Sequence, residues 1–259
     1  RSGLGTVVVT AGGNDRADGG NANSDRFSNN RYSIQVGAIN AVTDLGLLQT
    51  GQAPFSNPGA SLLVSAPGSN VTSTSRLIEN EQGSVFGSDF ETAQGTSFAT
   101  PIVSGVVALL LEANPNLGYR DVQEILAMSA KQVSDPNTAW AFNGASAWNG
   151  GRMHVSHDYG FGEVDAKAAV RLAETWISQR TLANELSTSR ASTALNLGIP
   201  DANASGVSTT LTMNAGIVVE HAEVTVNLTH QRAGDLIVKL ISPSGTESIL
   251  VNRPRETPA

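Results

Sequence analysis

Gly95-Thr96-Ser97-Phe98-Ala99-Thr100-Pro101 runs directly into Ile102-Val103-Ser104-Gly105-Val106-Val107-Ala108-Leu109-Leu110-Leu111. The second stretch is apolar nearly all round, which predicts a buried helix over residues 97–113, stopped by Asn114-Pro115. The first sets a serine between a glycine-bearing turn and the start of that helix. Backbone N–H groups at a helix start have no intrahelical partners and lie at the positive end of the helix dipole. They can therefore stabilise an oxyanion forming beside Ser97. An ordinary serine N-cap is the competing reading of a serine in this place.

Upstream, the β-branched run Thr6-Val7-Val8-Val9-Thr10 ends at Ala11-Gly12-Gly13-Asn14-Asp15, the pattern of a buried parallel strand entering a tight loop. Residues 16–30 have loop composition, and Ser33-Ile34-Gln35-Val36-Gly37-Ala38 resumes strand-like alternation. A further strand is expected at 62–65, stopped by Ala66-Pro67-Gly68, and residues 69–94 read as polar, irregular surface. Downstream, 120–130 and 163–178 carry apolar residues at amphipathic spacing and predict two more helices. After Gln179 helical pattern disappears. Val224, Val226 and Leu228 alternate with polar neighbours, as do Leu236, Val238 and Leu240. Ser242-Pro243-Ser244-Gly245 is a turn leading to Ile249-Leu250-Val251, so a hairpin is expected. The chain divides on this reading into an α/β part, 1–185, and an all-β part, 186–259.

The bulk properties agree with ordered, globular structure: 259 residues, 40% hydrophobic, 15% charged. A net charge of -7 without a Lys or Arg run gives no footprint for nucleic acid or an anionic membrane. Zero cysteines exclude disulfides and Cys-based zinc sites. No apolar stretch reaches the roughly 18 to 20 residues that span a bilayer.

The heptapeptide around Ser97 resembles the G-T-S-x-A-x-P signature at the nucleophile of subtilisin-like serine proteases, and Ala11-Gly12-Gly13-Asn14 resembles the family's A-x-G-N strand end. Ala99 departs from the G-x-S-x-G elbow of α/β-hydrolases, which counts against an esterase or lipase. Ser28-Asn29, Leu111-Glu112-Ala113-Asn114 and Val155-Ser156-His157-Asp158-Tyr159-Gly160-Phe161-Gly162 look like segments of the kexin and furin group. Gly234-Asp235-Leu236 and Ser242-Pro243-Ser244-Gly245-Thr246 resemble that group's P domain. The fold implied is a partial subtilisin-like parallel sheet flanked by helices, followed by a partial β-sandwich that stops at Ala259.

The resemblance implies a serine endopeptidase with Ser97 as nucleophile, Asn14 in the oxyanion hole, and Ala11, Gly12, Gly13 and Asp25 in substrate binding. Asp25 falls where convertases keep an acid under the S1 pocket, so a basic P1 residue is implied. A turn-capping Asp25 is the plain alternative. Calcium is common in the family, but its neighbouring acidic positions are Gly20 and Asn57 here, and no metal or other cofactor is assigned. Protein or peptide substrates, a pro-segment as possible partner, and a secreted or extracytoplasmic location follow from the family alone. The D-x-G aspartate and H-G-x histidine segments would lie before Arg1, so the chain alone is expected to be inactive. His154 and His157 follow the serine, against the family's order, and neither is expected to be the base; His221 and His230 read as strand-surface positions. A non-catalytic binding module and a broad-specificity secreted subtilisin remain alternatives.

Overall fold

The computed structural model describes residues 3–40, 51–79, 81–142 and 153–254. In chain order the elements are β1 (Val8–Ala11), β2 (Ser33–Asn40), β3 (Gly51–Gln52), β4 (Leu62–Ser69), β5 (Val71–Thr74), β6 (Ile78–Glu79), β7 (Val85–Phe86) and β8 (Phe90–Ala93). There follow α1 (Thr96–Ala113), α2 (Tyr119–Ser129), β9 (Ala141–Phe142), β10 (His154–Val155), α3 (Ala166–Glu174), β11 (Ile237–Ile241) and β12 (Glu247–Asn252).

β2 is central and parallel to β1 on one side and β4 on the other, with β3 antiparallel at its end. Six consecutive residues of β2 are buried, because helices and loops cover both faces of a parallel sheet. α1 packs across β1, β2 and β4 and against α3. Its inward residues Ala99, Val103, Val106 and Leu110 follow helical spacing, and each buried Val or Leu contributes about 1.5–3 kcal/mol of transfer free energy. The helix is not buried all round, as its composition predicts. Pro101, Ser104, Gly105, Ala108, Leu109 and Glu112 form an exposed stripe, with Leu109 53% exposed. By length and composition α1 could also cross a membrane, yet its buried face belongs to the core of this fold.

α2 begins at Gly118 through the side chain of Asp121. This fully buried carboxylate accepts from Gly118 N–H at 2.8 Å, Arg180 N–H at 2.7 Å and Trp176 Nε1–H at 2.9 Å, which draws residues 176–180 across the helix start. A side chain at Gly118 would begin 1.8 Å from Arg180 O, so only glycine allows that approach.

Three further expectations fail. β4 is not stopped at Ala66-Pro67-Gly68 but runs through them to Ser69. Residues 69–94 are not irregular: β5 pairs with β8 and β6 with β7, forming a two-stranded arm exposed along most of its length. Its polarity hides the strands, because neither face needs an apolar period. Residues 223–228 alternate as a strand should but join no ladder among the described residues, and Val224, Val226 and Leu228 stay 40–49% exposed. Alternation selects a face only where a partner strand exists to make the sheet. The hairpin predicted around Ser242-Pro243-Ser244-Gly245 forms as β11 and β12, with Gly245 at φ +83° and its N–H on Ser242 O.

Candidate active site

The site lies where the parallel strands β1 and β4 end, the edge at which open α/β sheets hold ligands. Gly12 N–H continues the β1 ladder to Val36 O at 2.8 Å, and Gly95 N–H donates to Gly68 O at the end of β4, also at 2.8 Å. The turn before α1 is thus fixed to the sheet. Gly13 N–H donates to Thr96 Oγ1 at 3.2 Å, and Asn14 Oδ1 accepts from Thr96 N–H at 2.8 Å and from its hydroxyl at 2.9 Å.

That last pair decides which way the Asn14 amide faces. Thr96 N–H can only donate, so the atom on it must be the amide oxygen, and Nδ2 is turned the other way. It is turned toward Gly95. The point where a Gly95 side chain would begin is 3.6 Å from Asn14 Nδ2 and 3.7 Å from Ser97 N. Gly95 holds φ +146° and ψ +156°, a conformation that glycine alone tolerates, and its missing side chain leaves this space open. Asn14 Nδ2 and Ser97 N therefore border the same glycine-sized gap, with the Phe98 ring at 3.7 Å on its other side, and the Ser97 side chain is exposed at the adjoining first turn of α1. Such a pair can stabilise negative charge that forms there.

Asp25 follows the 3-10 turn Ala22–Ser24 and is exposed. Its Oδ2 accepts from the Ser28 hydroxyl at 2.6 Å and Oδ1 from Phe27 N–H at 2.9 Å; Gln35 Nε2 in turn donates to Ser28 Oγ at 2.9 Å. The Ser28 bond first, then Phe27 N–H, holds the carboxyl below its ordinary range, so Asp25 is charged near neutrality. The contacts are those of a turn cap that keeps its charge facing solvent. Gly20 and Asn57 do come together, as the resemblance implies: a side chain on Gly20 would meet Asn57 Oδ1 at 2.6 Å. That oxygen already accepts from Asp15 N–H at 2.8 Å and is neutral. Calcium prefers several carboxylate and carbonyl oxygens, and no group of three or more His, Asp or Glu side chains gathers among the described residues. Neither Gly20 nor Asn57 therefore offers a carboxylate to that ion.

Three of the four histidines are engaged elsewhere. His154 stands edge-on to Trp140 with its pKa lowered by burial, His157 Nε2 meets Ile249 O, and His230 Nδ1 accepts from Arg232 N–H.

Residues 1–162 match the description of the subtilase family. The chain belongs to the subtilase family. Residues 219–258 match the proprotein convertase P-domain. Proprotein convertase subtilisin/kexin type 7 of Mus musculus is 33% identical over 98% of this subtilase chain and 32% of its own length. Furin of Mus musculus is 30% identical over 99% of this chain and 30% of its own. The chain thus spans about a third of the length of these curated relatives. The solved serine protease of Aeromonas sobria superposes with a TM-score of 0.75 at 25% identity, covering 98% of this chain and 51% of that one.

In this subtilase the structure brings Asn14, Gly13, Thr96 and Ser97 into one cluster and leaves Asp25 in a separate turn. Thr96 is the participant that sequence reading passes over. Its hydroxyl joins Gly13 to Asn14, but in the sequence it reads as one more threonine at a helix start. Asn57, read in the sequence only as the replacement of an acid, has a second part: its N–H donates to Gly13 O at 3.0 Å and braces the strand end.

Proposed function

We propose that the protein carrying this chain is a serine endopeptidase that works through an acyl-enzyme on Ser97. One observation carries the reading: Asn14 Nδ2 and Ser97 N border the same gap left by the missing Gly95 side chain, at the helix start that carries the exposed Ser97. Ser97 Oγ attacks the peptide carbonyl carbon and gives its proton to a histidine base that the full-length protein supplies together with its aspartate. The carbonyl oxygen becomes an oxyanion between the two N–H donors. The C–N bond then breaks as the base returns the proton to the leaving amine; water next gives a proton to the same base and attacks the acyl carbon, and the ester bond to Ser97 Oγ breaks as that proton returns to Oγ. The boundary between catalytic and P-domain-like parts falls at 185/186. Peptides or proteins are the substrates, a pro-segment is a fitting partner, and the secretory or extracytoplasmic space is the fitting location.

A basic P1 residue is the preferred substrate class, since Asp25 offers an exposed charge that its turn keeps ionised. The test uses the full-length protein. A fluorophosphonate should label Ser97, and Ser97→Ala should abolish both labelling and peptide hydrolysis. A folded protein with no labelling would point instead to a binding module. Equal rates of cleavage after Arg and after Leu would leave the endopeptidase but remove the basic preference.

A further inference from the structure

Two adjacent carbonyls of β12 are held by side chains of the catalytic part. Asn23 Nδ2 donates to Leu250 O and His157 Nε2 to Ile249 O, both at 2.7 Å. A carbonyl only accepts, so both nitrogens carry hydrogen toward the strand. The two anchors are themselves joined through Gly59, whose N–H donates to His157 O at 2.8 Å and whose side-chain position would meet Asn23 Oδ1 at 2.7 Å.

Asn23 stands two residues before Asp25, and its polar groups are all used. Oδ1 accepts from Ser61 N–H and from the Ser61 hydroxyl at 3.0 Å each, its carbonyl accepts from Asn29 Nδ2 at 2.8 Å, and its N–H donates to Asn21 Oδ1 at 2.9 Å. Beyond it the loop closes on the Asp25 backbone, with Asn29 N–H on the Asp25 carbonyl at 2.8 Å, while the Asp25 carboxylate accepts from Phe27 N–H and the Ser28 hydroxyl. The loop has few apolar contacts: Ser24, Asp25, Arg26 and Phe27 are exposed, Phe27 by 76%. A segment of this kind owes its shape to directional hydrogen bonds and opens locally when one is lost.

We propose that Asn23 is a positioning residue for substrate selection, tying β12 to the Asp25 loop so that discrimination for a basic P1 side chain depends on the β11–β12 hairpin. The inference rests on the reading of Asp25 given above. Asn23→Asp isolates it, because the carboxylate keeps an oxygen for Ser61, loses the donor to Leu250 O and sets two acceptors against each other. In the full-length protein this variant should lower the ratio of kcat/KM for Arg over Leu at P1 by about tenfold, the scale of one lost hydrogen bond to an ionised or buried group. His157→Ala, which loosens the same strand without touching the loop, should act in the same direction. Fluorophosphonate labelling of Ser97 should stay within about twofold of the parent, since a small phosphonate makes no P1 contact. Hydrogen exchange should accelerate together in residues 24–29 and 247–252. An unchanged ratio, an effect of Asn23→Asp that His157→Ala does not share, or faster exchange in the hairpin alone would overturn the proposal. If the parent itself shows no preference for Arg, the assignment of Asp25 fails separately. The exchange experiment then decides the tie: joint acceleration supports it and hairpin-only acceleration refutes it.

Discussion

Replacing Thr96 by Val should reduce turnover by about tenfold without weakening substrate binding. Thr96 is fully buried, and its hydroxyl accepts from Gly13 N–H at 3.2 Å while donating to Asn14 Oδ1 at 2.9 Å. Valine has nearly the same shape, so no cavity opens, but both bonds go, and Asn14 Oδ1 keeps only the 2.8 Å bond from the backbone N–H of residue 96. One lost orienting bond is worth about 1–1.5 kcal/mol, and 1.4 kcal/mol is a factor of ten in rate. The ceiling is set by removing such a donor altogether, about 10²- to 10³-fold in subtilisin. On the proposed mechanism the amide engages the oxyanion only as it forms, which puts the loss in kcat and not in KM. The assay is steady-state hydrolysis of one peptide by the full-length protein in a double-mutant cycle. If Thr96 acts through Asn14, Thr96→Val should have almost no further effect in an Asn14→Ala background. Equal losses in both backgrounds, or a raised KM at unchanged kcat, would refute the argument.

Two other outcomes follow from the same geometry. Ser28→Ala removes the largest influence that lowers the Asp25 pKa, so an NMR titration of the Asp25 carboxyl should move up toward the ordinary carboxylate range. The folded value is depressed, so the stabilisation is present above the unfolded carboxylate value and fades as pH falls through the folded one. Preference for Arg should therefore be lost at a higher pH in Ser28→Ala than in the parent, and an unmoved titration would reject Ser28 as the cause. Asp121→Ala leaves Gly118 N–H, Arg180 N–H and Trp176 Nε1–H without their acceptor in a fully buried place. The expected cost is about 3–5 kcal/mol by calorimetry, and a loss under about 1 kcal/mol would mean that water or a rearranged chain replaces the carboxylate.

What the sequence discloses and what it conceals divide by the range of the cause. β2 and α1 are legible as elements because a run of apolar or β-branched residues is a local property, and the hairpin at Ser242-Pro243-Ser244-Gly245 because its turn chemistry is. Gly95 and Asn14 are legible as a motif because a backbone at φ +146° and an amide aimed past it admit very few residue types. The exposed stripe of α1 is not: Leu109 and Leu110 are alike in the sequence, and only the placement of the sheet leaves one 53% exposed and the other buried. Thr96 is concealed for a sharper reason. Its chemistry depends on Asn14, 82 positions earlier, and the hydroxyl would look the same as a plain helix cap. Asn23 and Leu250 are 227 positions apart, and neither belongs to a motif, because one partner is a backbone carbonyl that every residue possesses. Residues that act directly on a reacting group are restricted in type and so leave a signature. Those that aim them need only a donor or acceptor in the right place, which many residue types supply and only the folded chain can locate.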